Sequence, residues 1–549
     1  MNGLAQKLFL QQEERIPWIA EKTSTAVPHY LQQFYEKGVL TICDITLIQT
    51  LGITDEAIAF FIAHLALSTR KGHLCITETL PAASSIWQFT DDGEKRSIDR
   101  EEAEKIQSLI TSGARQIKKT DLCSIESGSS PIVFEKGYFY FEKMWSAKSL
   151  FLKHYKRIVS STPTHSIAHD LKDPSLKTEQ LEAIQKGLNN AFTIIAGGPG
   201  TGKTYTAGQL VKNLYSNNKN HGAFTAAFAA PTGKAAANLQ KSIAHAIPDM
   251  RCQVKTLHSL LGIHNSSQKT SIDHLGADFI LVDESSMIDV RIMAKLFESI
   301  KANARLVLLG DPYQLPPVEA GFLFADMVNH CSRQHLATLK TCLRAELQSI
   351  STYADHIKEG NSEEIITGSF EGIKRISLDE AIPYALNAYQ NDGDNFRILT
   401  PMRKGPFGTE NLNRAIYEPL RSSKVPIMVT RNDYKYELFN GETAVIHKKN
   451  PFSNDYEKSD YAVFSHERVF PALLLPPHEL AYALSIHKSQ GSEFEHILIC
   501  LPKGAEIFGR ELLYTAVTRA KCRVTLACDD ETLVKTITNK TIRLSGLFH

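Results

Sequence analysis

The stretch GGPGTGKT, Gly197 to Thr204, decides how this chain folds. It matches G-x-x-x-x-G-K-[ST], a glycine-rich loop whose backbone N–H groups curl round phosphates. Such a loop works only between a strand and a helix, because the helix must present its positive end to the anion. The apolar run FTIIA (192–196) supplies the strand. Gly197, Gly198, Pro199, Gly200, Thr201, Gly202, Lys203 and Thr204 are therefore expected to hold ATP. Lys203 should reach the β and γ phosphates, and Thr204 should ligate Mg²⁺.

Working outward, the same grammar repeats. AFTAAFAA (223–230), FILVD (279–283) and RLVLLG (305–310) are short runs apolar on both faces, each followed by a turn and a helical pattern. That alternation predicts a parallel sheet covered on two sides. Two of these strands end in acids. FILVDESSM places Asp283 where a metal-holding carboxylate belongs and Glu284 where an attacking water would be oriented or deprotonated. LLGDPYQLPPV (308–318) brings Asp311 and Gln314 to the same edge, and an uncharged Gln there can sense both a γ-phosphate oxygen and a water. Upstream, Gln180 opens an amphipathic helix, and its amide can pair with an adenine edge.

A second α/β series carries the strands FRILT (396–400), HILICL (496–501) and RVTLAC (523–528). Residues 425–475 between them are β-branched, aromatic and turn-rich, which predicts a small inserted β unit. In front of both series, residues 1–165 form a largely helical module with a hairpin centred on Gly137 (129–145) and a turn-rich linker at 160–175. The motor-like units are expected at 166–340 and 341–549. APTGKAA (230–236) and TLHSLLG (256–262) offer Thr, Lys and His at turns, suited to the phosphates of a nucleic-acid strand. Lone hydroxyls at such places also serve as plain helix caps.

Composition sets the outer limits. Hydrophobic content of 43% and charged content of 22% are those of an ordinary globular protein, too long at 549 residues for one core. AIAFFIAHLAL (57–67) falls short of the roughly 18 to 20 residues of a membrane span and reads as a buried helix. The N-terminus lacks a basic-then-apolar leader, so a cytoplasmic location is expected. Nine cysteines without a C-x-x-C pair fit a reducing compartment and buried thiols. A net charge of +1 means that any nucleic acid must be met by local patches and backbone amides.

In order, TEQ, GGPGTGKT, APTGKAA, TLHSLLG, VDESSM, GDPYQLPPV, LRA, LTPMRKGPFGTENLN, NGE, ALSIHKSQGSEF and LLYTAVTRAK span 178–521. This set resembles the superfamily 1 DNA helicases, and among them the RecD family, the alpha subunit of exodeoxyribonuclease V. The resemblance implies two RecA-like P-loop motor domains and an ATP-dependent helicase moving 5′-to-3′ in recombinational double-strand-break repair. It implies RecB-like and RecC-like partners in a heterotrimer, contacted through the N-terminal module, with the nuclease centre in RecB. No helix-hairpin-helix pair precedes the motors, which favours the subunit over a stand-alone RecD-like helicase. A regulatory ATPase that switches without translocating is the alternative from another class.

Residue by residue, the resemblance makes Arg344 and Arg519 the arginines that meet the γ-phosphate. His487, Ser489, Gln490 and Gly491 would couple a bound strand to the nucleotide, with Glu493 near the ribose. Pro231, Thr232, Thr256, His258, His487 and Ser489 would contact single-stranded DNA. Residues 263–277 resemble a strand-separating pin, and 425–475 an SH3-like insertion. Tyr205 stands where the family has a small or hydroxylated residue, which predicts a packing difference without loss of ATPase.

Overall fold

The computed structural model describes residues 27–548 except 79–81, 83–85, 89–97, 164–175, 219–224, 249, 251, 264–274, 344–347, 434, 437, 454 and 465–467. The pin-like segment therefore lies almost wholly outside the described residues, as does Arg344.

The N-terminal module opens with helices His29–Glu36, Ile42–Thr50, Glu56–Arg70 and Arg100–Ile117. The run read as a core helix is one: Glu56–Arg70 is buried along most of its length, and its His64 accepts Trp87 Nε1–H at 3.0 Å. Three short strands follow, β1 (Cys123–Ile125), β2 (Ile132–Glu135) and β3 (Tyr138–Phe141), with the predicted hairpin between β2 and β3. The next helix, Glu142–Val159, turns its apolar face into the first motor core. Phe151 and Tyr155 meet Phe297, and Tyr155 meets Phe192, so this helix packs as part of that core.

The first motor sheet consists of β4 (Phe192–Gly197), β5 (Ala226–Ala230), β6 (Val254–Thr256), β7 (Phe279–Val282), β8 (Arg305–Gly310) and β9 (Leu336–Leu339). All pair in parallel in the order β6-β5-β7-β8-β4-β9. Strands β4, β7 and β8 are buried throughout, which is why their sequences are continuously apolar. Because β4, β8 and β7 are neighbours, the loops after them share one edge. Ligands bind outside the carboxyl ends of such strands.

The second motor starts with β10 (Ile373–Ile376) and β11 (Phe396–Thr400). The chain then leaves it for β12 (Lys424–Val429), β13 (Thr443–His447), β14 (Tyr461–Phe464), β15 (Val469–Pro471) and β16 (His478–Leu480). These form an antiparallel sheet in the order β15-β14-β13-β12-β16, the small β unit expected from composition. The chain returns through β17 (Ala483–Ser485), β18 (Phe494–Cys500) and β19 (Ala520–Ala527) to complete a parallel sheet, β10-β19-β18-β11-β17. The architecture is thus α/β, two RecA-like units with a helical and mixed module in front and a β insertion in the second. All nine cysteines are free; Cys43 and Cys522 are exposed, contrary to the expectation that they would all be buried. Among the described residues, no helix is long and apolar enough to cross a membrane.

The last residues do something the sequence did not announce. After helix Asp530–Thr538 the chain runs back across the molecule. Thr541 N donates to Glu511 in the second motor, and Arg543 donates to Pro317 O in the first. Leu544 then pairs with the N-terminal module, its N donating to His73 Nδ1 at 3.1 Å and its carbonyl accepting Leu74 N at 2.7 Å. Gly546 (φ +58°) lies so close to Tyr140 that an added Cβ would meet its hydroxyl at 1.9 Å, so only glycine passes.

Burial, with Arg543 beside it, holds the His73 pKa down at about 4, against 6.5 unperturbed. The folded state therefore refuses a proton that the unfolded chain accepts. Stability from this site is complete above about pH 6.5 and falls as pH drops toward about 4. His73→Gln should remove on the order of 2–3 kcal/mol of pH dependence between pH 7 and 4.5 in urea melts. Parallel melts for both proteins across that range would rule His73 out.

Candidate nucleotide cleft and strand face

The phosphate loop is shaped by backbone sterics. Gly200 (φ +73°) and Gly202 (φ +80°) take left-handed conformations that other residues reach at a cost. A Cβ on Gly197 would meet Thr201 Oγ1 at 2.7 Å and Leu339 O at 2.8 Å. Helix Lys203–Asn218 starts directly at the loop. The Lys203 ammonium donates to Gly197 O (2.7 Å) and Gly198 O (2.9 Å), parked on its own loop. Gln180 is buried; its Oε1 accepts Lys177 N at 3.0 Å, while its Nε2 has no partner among the described residues. That free amide lies 2.9 Å from where a Gly202 Cβ would stand, beside the loop.

Beside it lies an acidic shelf. Thr204 Oγ1 donates to Asp283 Oδ2 at 3.3 Å, so the two oxygens read as metal ligands are adjacent. Burial, and then the neighbouring Glu284, push the Asp283 pKa up to about 6, with Lys203 pulling the other way. A carboxylate so placed calls for a cation, and its contact with a hydroxyl suits a hard, oxygen-seeking ion such as Mg²⁺. Glu284 itself is held at φ +51°, ψ +40°, a left-handed conformation rare for a residue with a Cβ. Strain of this kind gathers at functional sites. Asp311 is fully buried, and Gln314 Nε2 approaches it at 3.4 Å while Gln314 Oε1 has no partner among the described residues. Such an orphaned acceptor fits a role toward a water or ligand donor.

The second motor closes over this shelf through helix Gly509–Val517. Tyr514 O–H donates to Asp311 Oδ2 at 2.9 Å, and Leu315 N donates to Thr515 Oγ1 at 2.8 Å. Gln490 Nε2 reaches Leu315 O at 3.4 Å. A Cβ on Gly198 would stand 3.3 Å from the Tyr514 hydroxyl, so this helix sits on the phosphate loop. A cavity of about 410 Å³ lies between the motors, lined by Gly197, Gly198, Pro199, Tyr313, Lys358 and Tyr514, among others. Arg519 is buried at 4% exposure, its guanidinium spread over Thr515 O (3.1 Å), Ser492 O (3.5 Å) and Thr518 Oγ1 (3.5 Å). Among the described residues no carboxylate forms an ion pair with it.

Comparison with known proteins places this arrangement. Residues 175–374 match the model of an AAA domain, and residues 480–527 that of a UvrD-like helicase C-terminal domain. The RecBCD enzyme subunit RecD of Mycolicibacterium smegmatis is 34% identical over 67% of this chain and 74% of its own. The chain belongs to the RecD family. The same subunit of Mycobacterium tuberculosis H37Rv is 27% identical over 94% of this chain and 96% of its own. The ATP-dependent RecD2 DNA helicase of Deinococcus radiodurans is 28% identical, over 63% of this chain and 48% of its own. Membership of this family implies that the chain binds a nucleotide.

The remaining residues singled out from the RecD resemblance fall in two groups. Thr232 and Thr256 each cap a helix, accepting Ala235 N (3.2 Å) and Ser259 N (3.3 Å), the plainer of the two readings of those hydroxyls. Pro231 is half-buried beside Thr232, and His258 is exposed. His487 is half-buried, its pKa lowered by burial and then by Arg543. Ser489 is fully buried and donates to Ile486 O, so its hydroxyl faces inward and not toward a bound strand. Gly491 lies 3.8 Å from Thr232 and Ala235 by its would-be Cβ, on the turn at Thr232 and not on the phosphate loop. Glu493 stands near the half-buried Lys234. Leu343, just before Arg344, donates its amide to Gly200 O at 2.9 Å. Tyr205 is 43% exposed, so its ring is not the packing element expected.

Sequence reading missed Tyr514, although it quoted the helix that bears it; a tyrosine inside an apolar helix gives no sign of a partner 203 positions away. Tyr514→Phe leaves a buried carboxylate short of one donor and should cost about 1–3 kcal/mol in a denaturant melt. Its double-mutant cycle with Asp311→Asn should return clear coupling, whereas additive effects would show that the bond does not form in solution.

Proposed function

We propose that this chain is the ATP-driven motor subunit of a RecBCD-type helicase-nuclease. Membership of the RecD family makes it an ATP-hydrolysing DNA helicase. The observation that carries the motor reading is the pair of hydrogen bonds, Tyr514 to Asp311 and Leu315 to Thr515, that seat the helix preceding Arg519 on the loop after β8, beside the phosphate loop. In this reading ATP binds between the motors, with Lys203 leaving its carbonyls for the phosphates and Gln180 taking the adenine. Glu284 orients the attacking water, and Gln314 senses its position. Arg519, and Arg344 beyond the described residues, place positive charge on the γ-phosphate as negative charge develops there, an effect of roughly 10³- to 10⁵-fold for inserted arginines. Thr204 and Asp283 would hold Mg²⁺, which would neutralise phosphate charge when bound.

Closing and opening of the cleft moves a grip along single-stranded DNA. Pro231, Thr232, Thr256, His258 and His487 supply that grip, and the direction is 5′-to-3′. The module at 1–165 meets RecB-like and RecC-like subunits in a heterotrimer, and the nuclease centre lies in a partner. Residues 166–340 and 341–549 are the motors, 263–277 the pin, and 425–475 an SH3-like insertion. The subunit reading is supported by the RecBCD subunits among its relatives, one of them 34% identical, against 28% for the RecD2 helicase.

Lys203→Gln should abolish ATPase and unwinding by this subunit; survival of both would overturn the reading. Wild-type ATPase should rise strongly with single-stranded DNA, and a flat response would point to a switching ATPase instead. Arg519→Ala should lower turnover by about 10³-fold or more while ATP affinity changes far less. Equal losses would make Arg519 structural.

A further inference from the structure

Lys234 follows Pro231 and Thr232 directly, yet its side chain does not join them at the surface. It turns into the interface between the motors, where its ammonium donates to Ser492 Oγ at 2.7 Å. Ser492 is 2% exposed. The backbone carbonyl of that same residue accepts Arg519 NH1 at 3.5 Å. One residue of the second motor thus receives a cation from each side, Lys234 from the strand-reading turn and Arg519 from the nucleotide side. One turn further along the helix of Lys234, Asn238 Nδ2 donates to Gly491 O at 3.4 Å, and Gly491 packs on Thr232 and Ala235. The contact between the turn and the QGS segment is therefore continuous from residue 232 to 238.

The charge arrangement is uneven. Arg397 and Arg519 are each 4% exposed, and Lys234 and Arg397 lie over the Phe494 ring at 6.0 and 5.7 Å. Glu442 and Glu493 are the opposing charges near Lys234. Lys234 is half-buried, and withdrawing part of an ammonium from water is costly unless its charge does something there. Ionised, it raises the energy of any arrangement that keeps Arg519 beside it. It correspondingly favours one in which Arg519 has turned to an anion.

We infer that Lys234 is a positioning residue that couples the strand-contact turn at 231–233 to Arg519 through Ser492. This rests on the reading of Arg519 and Thr232 given above. When a phosphate of the strand draws on the turn, the helix start carries Lys234 and Ser492 with it. Arg519, held at Ser492 by a long hydrogen bond, is released toward the γ-phosphate. DNA stimulation of ATPase then follows from a like-charge contact at a shared serine.

Steady-state ATPase of the full-length chain with and without oligo(dT), and oligo(dT) affinity by fluorescence anisotropy, test this. Lys234→Met should lower DNA-stimulated kcat by roughly tenfold, inside the 5- to 150-fold range of ordinary coupling, with KM for ATP and oligo(dT) affinity changed little. Lys234→Arg should restore stimulation, and Ser492→Ala should copy Lys234→Met. Burial, then Arg397, and then Arg519 hold the Lys234 pKa down at about 8, against the opposing pull of Glu442 and Glu493. Wild-type stimulation should accordingly fade as pH rises through about 8 while that of Lys234→Arg does not. A loss of oligo(dT) affinity matching the loss of kcat would make Lys234 a strand contact and overturn the inference. Unchanged stimulation in Lys234→Met would overturn it too. Arg519→Ala run alongside separates the two levels, because normal turnover there would sink the arginine reading itself.

Discussion

Asp311 is completely out of water, and its carboxyl group lives on borrowed donors. Tyr313 N, Gln314 Nε2 and Tyr514 O–H all point at it, and the last comes from the other motor. Burial, with Glu284 adding a little, drives its pKa up, and Lys203 and the donors oppose that rise. A carboxylate in this position is expensive to leave unsatisfied, because each missing donor exposes a desolvated charge. The closed relation of the two motors is thus built into the electrostatics of one side chain. Separating them strips Asp311 of Tyr514, and Leu315 N loses Thr515 in the same motion. The strand ends at Asp283 and Glu284 add to an acidic face on one motor, while Arg397 and Arg519 form a basic face on the other. A polyanion with a bound cation can satisfy both faces at once, which is what a nucleotide between two such domains provides.

What the sequence disclosed is what can be encoded locally. Strand β4 and the glycine loop follow from a run of a dozen residues, and so do the acids at the ends of β7 and β8. Buried parallel strands have no polar face to disguise them, so their apolar runs coincide with the observed strands to within a few residues. The antiparallel insertion was visible for a different reason, its β-branched, aromatic and turn-rich composition, though it extends from Lys424 to Leu480, a little beyond the stretch that signalled it. Hydroxyls were less legible. Thr232, Thr256 and Ser489 each satisfy nearby backbone, and a sequence cannot say whether an oxygen is spent locally or kept for a ligand.

Pairings at long range were invisible. Tyr514 and Asp311 are 203 positions apart, Lys234 and Ser492 are 258 apart, and Tyr140 and Gly546 are 406 apart. None of these residues belongs to a pattern whose spacing reports the partner. Helix Glu142–Val159 shows the same limit at the level of domains. Its amphipathic period says that one face is buried but not in which core, and Phe151 and Tyr155 place it with Phe192 and Phe297.

The C-terminal tail gives these pairings a common consequence. Within a few residues it touches Glu511 beneath the Arg519 helix, Pro317 in the loop that follows Gln314, and His73 and Leu74 in the N-terminal module. Arg543 is the central member, its charge felt by His487 on one side and His73 on the other. A segment that bonds three bodies resists any motion in which they separate, and it resists most where its contacts are least hydrated. Motor closure mediated by Tyr514 and Thr515 leaves the tail's contacts on Glu511 and Pro317 intact, whereas wide opening pulls Arg543 away from Pro317. The strap therefore limits how far the motors part in each cycle. It also makes the N-terminal module a mechanical part of the cleft, because a force applied at His73 and Leu74 reaches the loop that carries Gln314 through the adjacent Leu544 and Arg543.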